Sequence, residues 1–159
     1  MKLSTVLATA AATTTTAIVG SIASRDSDSR WFRKLRKPGF QPPAEVFPIV
    51  WTALYADIAV TSAVAIDEYT GAADYEGRRK YITALATNLV LNASWSWVFF
   101  KWHRLMPSTL VAAALAVSTA DLTRRTAEAS PAAGAALAPY SAWTAFATVL
   151  TGRITKLNR

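Results

Sequence analysis

Five long apolar stretches divide the chain, over residues 3–24, 44–66, 81–100, 107–123 and 133–155, and most charged residues fall between them. At 1.5 Å of rise per helical residue, four of them reach the roughly 30 Å of a hydrocarbon core, and 107–123, at about 26 Å, is at the lower limit for a span. The pattern predicts an all-α fold: one integral membrane bundle of five transmembrane helices in a single domain over residues 1–159. The first stretch is rich in Ala and Thr and only weakly apolar, and the fourth is short, ending against Asp121, Arg124 and Arg125. Connections read as brief except for 25–43 and 67–80, so neighbouring helices should run antiparallel. The first stretch has a rival reading. Lys2, an apolar run and the small residues Ser21-Ile22-Ala23-Ser24 also describe a secretory signal peptide. A bundle with four further spans needs a first helix, which favours its retention.

Composition supports a membrane setting. Charged residues make up 17% of the chain and apolar residues 52%, where a soluble domain has about 25% charged. With no cysteine, disulfides, thiol chemistry and thiolate metal sites are excluded. The single His103 has no acidic partner near it in sequence, which argues against a histidine metal site or a catalytic triad. A net charge of +7 raises the question of nucleic acid. The basic residues flank apolar spans instead of lining a polar face, so no nucleic-acid partner is expected.

Basic residues also set the expected orientation. Eleven Lys and Arg lie in 25–43, 101–106 and the C-terminus, and six lie on the other side. The positive-inside rule then places the 25–43 segment and the C-terminus in the cytoplasm. A bacterial cytoplasmic membrane is favoured over an organelle or bacterial outer membrane.

Residues 31–55 are the most informative stretch. A basic run with aromatics meets Pro38 and the Pro42-Pro43 pair, then turns into an apolar segment carrying Trp51 and Tyr55. Three prolines fix φ and remove three donors, so 31–43 cannot form one regular helix. Pro43 is suited to open the helix that follows. The expectation is an ordered cationic cap, a lid over 25–43.

Three blocks then resemble the TspO/translocator-protein family, the tryptophan-rich sensory proteins. The first holds Trp31, Leu35, Lys37-Pro38, Pro42-Pro43, Val46-Phe47-Pro48, Trp51-Thr52 and Leu54-Tyr55. The second holds Leu91-Asn92, Trp95 and Phe99-Phe100, and the third Pro139-Tyr140, Trp143, Phe146-Ala147-Thr148 and Leu157-Asn158. The resemblance implies a five-helix bundle, commonly a homodimer, with a ligand cavity closed by the loop between the first two spans. It implies porphyrins as ligands, such as protoporphyrin IX or haem, with no required cofactor and no metal.

By the same resemblance, Trp51 and Trp143 line the cavity and are linked in relatives to light-dependent porphyrin breakdown. Flat rings suit a porphyrin face, since aromatics prefer offset stacking. The bland reading makes both tryptophans helix-packing or interface-belt residues. Ala147 lies one turn beyond Trp143 on the same face and leaves room for a ligand ring, or simply allows close helix approach. Ala142, Phe146, Phe40, Phe47, Asn92 and Trp95 complete the expected pocket, although an amide such as Asn92 most often bonds across a bundle. Arg33, Lys34, Arg36 and Lys37 could receive porphyrin propionates, though attraction to anionic headgroups explains them as well. Asp57 falls inside the second span, where an Asp costs about 2.5–3.5 kcal/mol on insertion scales, and no residue of the family pattern matches it.

The chain departs from the family in four places. Leu150-Thr151-Gly152-Arg153 lacks the Tyr of the sterol motif, so no sterol ligand is expected. Thr151 replaces the usual Asn, the fourth span has no aromatic residue, and Phe40 stands where relatives usually carry Trp. The reading is a membrane receptor, sensor or transporter that binds porphyrin between the first, second and fifth spans beneath the lid. The alternatives are a light-dependent porphyrin-degrading enzyme and a structural membrane protein without a tetrapyrrole ligand.

Overall fold

Thr9, Thr13, Thr16, Gly20 and Ala23 repeat every three or four residues along the first helix, and this small, hydroxyl-rich stripe is the face it buries. The opposite face presents Leu3, Leu7, Ile18 and Ile22 outward. Hydroxyl and amide residues are frequent throughout the interior: 13 of the 36 buried residues are Thr, Ser or Asn. Ile49, Val90, Leu110, Val117 and Val149 are all more than half exposed. In water such a surface would be a large unpartnered apolar patch. Against lipid it is the expected exterior, since small and hydroxyl residues let helices approach and bond to each other.

The computed structural model describes residues 1–159 as an all-helical chain. Its helices are α1 (Leu3–Ser24), the short α2 (Arg30–Lys34), α3 (Val46–Gly71), α4 (Tyr75–Ser96), α5 (Leu105–Ala129) and α6 (Pro131–Leu157). The five long helices have 22 to 27 residues, about 33–40 Å. By length and composition Leu3–Asp28, Val46–Gly71 and Leu105–Ala129 can each cross a membrane. α4 and α6 turn polar residues, Asn88, Asn92, Tyr140 and Thr144 among them, into the bundle. α1 packs against α3 and α4, α5 lies between α4 and α6, and α6 returns to α3.

Several element boundaries differ from the hydropathy reading. The fourth span does not stop at residue 123. α5 runs to Ala129 because Asp121 holds Arg124 at 2.8 Å and Arg125 at 2.7 Å, and Arg124 also pairs with Glu128. These charges sit three and four residues apart, where a helix brings side chains together. The long connection expected over 67–80 shrinks to a three-residue turn, Ala72–Asp74, with Ala73 at φ 57°. Asp74 caps α4 by accepting from Gly77 N at 2.8 Å. Pro43 does not open α3, which starts at Val46 with Pro48 in its first turn. The third span ends in a π-turn, Trp97–Lys101, which carries the chain into α5.

The segment between α1 and α3 is irregular, as its prolines require. α2 ends at Lys34 and Leu35 turns extended. At the far end of the bundle, Asp67 of α3 accepts the Lys2 amide and the Thr5 hydroxyl, which caps the start of α1 from a neighbouring helix. Inside α6, Pro139 offers no N–H to the Ala135 carbonyl.

α5 and α6 pack tightly at Gly134, where an added Cβ would overlap both Cβ and Cα of Ala127. The backbone itself is in the way there, so no rotamer relieves the overlap. Gly134→Val should therefore destabilise the bundle by about 1–3 kcal/mol or more. The check is thermal unfolding in detergent followed by circular dichroism, with Gly39→Ala as a control because nothing lies within 4 Å of Gly39.

Candidate functional site

Near the end of the bundle that carries segment 25–45, α1, α3, α4 and α6 leave a cavity of about 480 Å³. That volume lies within the usual range for small-molecule sites. Residues 17–24 of α1 contribute only small side chains, Ala17, Gly20, Ser21 and Ser24, and so open the space. α3 supplies Phe47, Trp51 and Tyr55 at spacings of four residues, which aligns them on one face. α4 and its π-turn add Asn92, Trp95 and Phe99. Phe32 and Gln41 come from the segment above, and Leu150, Thr151 and Ile154 from α6. The wall is thus aromatic and hydroxylic, and none of its 21 residues is charged.

The aromatic wall is a packed assembly. Trp51 tilts against Tyr55 with ring centroids 5.6 Å apart, and Trp95 stacks on Phe99 at 5.3 Å and 15°. Trp95 Nε1 and Gln41 Oε1 are buried and make no hydrogen bond within the protein. Unpaired buried polar atoms are costly unless something meets them.

Below the cavity runs a chain of hydrogen bonds that all donate in one direction. Tyr55 Oη donates to Asn92 Oδ1 at 2.8 Å, and Asn92 Nδ2 to Tyr140 Oη at 3.0 Å. Tyr140 Oη donates to Asn88 Oδ1 at 2.8 Å, and Asn88 Nδ2 to Thr119 Oγ1 at 3.0 Å. Thr119 then donates to the Leu115 carbonyl. The relay links α3, α4, α6 and α5, and it holds Tyr55 and Asn92 in place as cavity wall.

The lid is anchored on three sides. Trp31 stacks on His103 at 4.0 Å and meets Phe99 edge-on at 5.7 Å. Asn158 bonds both backbone groups of Arg36, accepting its N–H and donating to its carbonyl at 2.9 Å each. Lys101 pairs with Asp26 at 3.3 Å. Lys37 turns inward, donating to the Phe32 carbonyl at 2.8 Å with its ammonium over the Phe32 ring. Partial burial lowers the Lys37 ammonium from its ordinary value.

Of the residues expected at the site, Trp51, Phe47, Asn92 and Trp95 come together on the cavity wall. Trp143 stands behind Phe47, 5.8 Å from it and 5.3 Å from Phe146, with a buried Nε1 that has no partner. Phe40 packs on Phe146 at 6.2 Å, half-exposed. Ala142, Phe146 and Ala147 are likewise outside the lining. Asp57 is also outside the wall, and its carboxylate bonds to no group of the chain, while Thr61 takes its backbone carbonyl. The expected frame of first, second and fifth spans therefore gains a fourth wall from α4. Phe32, Gln41 and the small residues of α1 were not anticipated; the Ala, Ser and Gly spacing of α1 was the available signal. His103, set aside as chemistry, and Asn158 turn out to secure the lid.

With this geometry in view, the chain matches the TspO/MBR family over residues 6–157. It is 30% identical over 131 residues to the membrane protein YtaB of Bacillus subtilis, covering 82% of each chain. It is 29% identical over 128 residues to a tryptophan-rich sensory protein of Cereibacter sphaeroides, covering 80% of this chain and 77% of the other. With the translocator protein of Homo sapiens it shares 32% identity over 139 residues, 83% of this chain and 77% of that one. The chain belongs to the TspO/MBR family and is an integral membrane protein.

Asn88 is fully buried and ties α4 to Ser118 and Thr119 of α5 and to Tyr140 of α6. Asn88→Ala should cost about 1–3 kcal/mol, because Tyr140 loses its acceptor in a site without water. Thr15→Ala, which removes only a bond to its own helix on an exposed face, should change stability by less than about 0.5 kcal/mol. Parallel thermal melts in detergent compare the two.

Proposed function

We propose that this protein binds porphyrin-type tetrapyrroles in the cavity beneath segment 25–45. The observation that carries the reading is the wall itself: a space of about 480 Å³ framed by Phe32, Phe47, Trp51, Trp95 and Phe99, with no charged side chain. A flat conjugated ring gains from stacking against such faces. Trp51 and Trp95 are the stacking residues in this reading. Trp143 backs the wall through Phe47 and contributes by packing. Propionate groups would extend toward the lid, where Arg33, Lys34 and Arg36 are available and Lys37 is already occupied by Phe32. The grouping of 25–43, Lys101 and the C-terminus at one end of the bundle, joined by the Asp26–Lys101 and Arg36–Asn158 contacts, supports a cytoplasmic lid.

The test is quenching of intrinsic tryptophan fluorescence by protoporphyrin IX in detergent, with absorbance followed in light and in darkness. Saturable quenching is expected, weakened about two- to tenfold in Trp51→Leu and Trp95→Leu, the range of one aromatic pair. Trp143→Phe should stay within about twofold of the parent. Quenching that never saturates in folded protein would overturn the reading. Loss of the porphyrin band in light alone would replace reversible binding with breakdown.

A further inference from the structure

A second, shallow and open concave surface of about 970 Å³ lies at the opposite end of the bundle, on the outer side of α4 and α5. Its charged residues are Arg79 and Lys80 at the start of α4 and Asp121 and Arg125 in the last turns of α5. Farther along the two helices it is lined by the small or apolar residues Ala84, Ala114 and Val117. From Arg79 to Thr87 the groove follows α4 for about 12 Å, and from Arg125 to Ala114 it follows α5 for about 16 Å. It therefore starts among charges and runs into the zone where α4 and α5 face lipid.

We infer that this groove is a binding site for an anionic phospholipid, with the phosphate at Arg79, Lys80 and Arg125 and an acyl chain along Ala84, Ala114 and Val117.

Charge selects an anion. Of the three cations lining the groove, Arg125 already shares Asp121 with Arg124, at 2.7 Å and 2.8 Å, and its remaining guanidinium N–H groups are what it can offer an anion. Lys80 is held at 2.6 Å by Glu76, an exposed pair that contributes little to stability. Arg79 pairs with no carboxylate. Basic groups near a membrane surface attract anionic headgroups, and with the lid on the cytoplasmic side the headgroup bound here belongs to the other leaflet.

Hydroxyl placement points the same way. The Thr87 hydroxyl makes no hydrogen bond in the protein, whereas most helical threonines here bond to their own helix. Ser118 Oγ accepts from Asn88 Nδ2 at 3.2 Å and donates to nothing. Two free O–H groups thus lie in the groove about 10–12 Å along the helices from the cations. Val117 is 72% exposed in the same wall, which an acyl chain would cover. A soluble anion would use the cations and leave this apolar floor untouched.

The experiment is native mass spectrometry of the full chain in detergent, titrated with dioleoyl phosphatidylglycerol or dioleoyl phosphatidylcholine. One phosphatidylglycerol should be retained in preference to phosphatidylcholine. Arg79→Gln should weaken that retention about fivefold, the effect of one basic residue near a membrane surface. Val117→Trp, which fills the floor and leaves the charges alone, should weaken it as well. Arg153→Gln, at the other end of the bundle, should change nothing. Equal retention of the two lipids would overturn the proposal, as would retention that survives Arg79→Gln together with Lys80→Gln. Displacement of the lipid by millimolar inorganic phosphate would make this a simple anion site. Loss of the lipid signal on dimerisation alone would assign the groove to a second copy of the chain.

Discussion

Tyr140 is completely buried, and its hydroxyl takes a hydrogen bond from Asn92 and gives one to Asn88. Inside a bilayer no water can meet those groups, so each must find its partner on another helix. Here the partners fall into one relay from Tyr55 on α3 to the Leu115 carbonyl on α5, passing through α4 and α6. Two Tyr, two Asn and a Thr thereby fix the relative heights of four helices. The register of the cavity above them follows, because Tyr55 and Asn92 belong to both the relay and the wall. A second buried set, Tyr81 with Ser62 and Thr126, does the same near the other end.

The rest of the packing is shape. Apolar helices gain nothing by leaving lipid for one another, so close contact must come from small residues and hydroxyls. α1 shows the rule at its plainest. Its Thr and Gly stripe faces α3 and α4, and Thr9 donates at 2.7 Å to the Ala59 carbonyl across the interface. Where that stripe turns to Ala17, Gly20, Ser21 and Ser24, the neighbouring aromatic residues do not fill the gap, and the cavity results. Its wall is uncharged because a charge at that depth would need a partner of its own. Apart from Asp57 within α3, the charges lie toward the two ends, securing the lid at one and lining the α4–α5 groove at the other.

The all-helical membrane bundle was legible from hydropathy alone, because long apolar stretches with so little charge inside them are compatible with few fold classes. Trp51, Phe47, Asn92 and Trp95 were also legible as a set, since sequence blocks carry them in order. The irregular lid followed from three prolines. The ends of α3, α4 and α5 did not follow, because hydropathy reads Asp121, Arg124 and Arg125 as a stop while a helix reads them as neighbours three and four residues apart.

What the sequence determined by itself is thus local: which stretches are helical, which are apolar, and where the chain cannot be regular. What only the tertiary structure decided is facing. Trp143 and Trp51 look equivalent as letters, yet one stands behind Phe47 and the other on the open wall. α4 and α6 read as spans, but which of their Asn, Tyr and Thr side chains turn inward to be satisfied is set by the neighbouring helices. His103 looks isolated, yet a turn with φ 54° places it flat against Trp31. Each of these depends on helix rotation, which a one-dimensional pattern constrains only to a face. Hydrogen-bond partners from distant parts of the chain fix the rest.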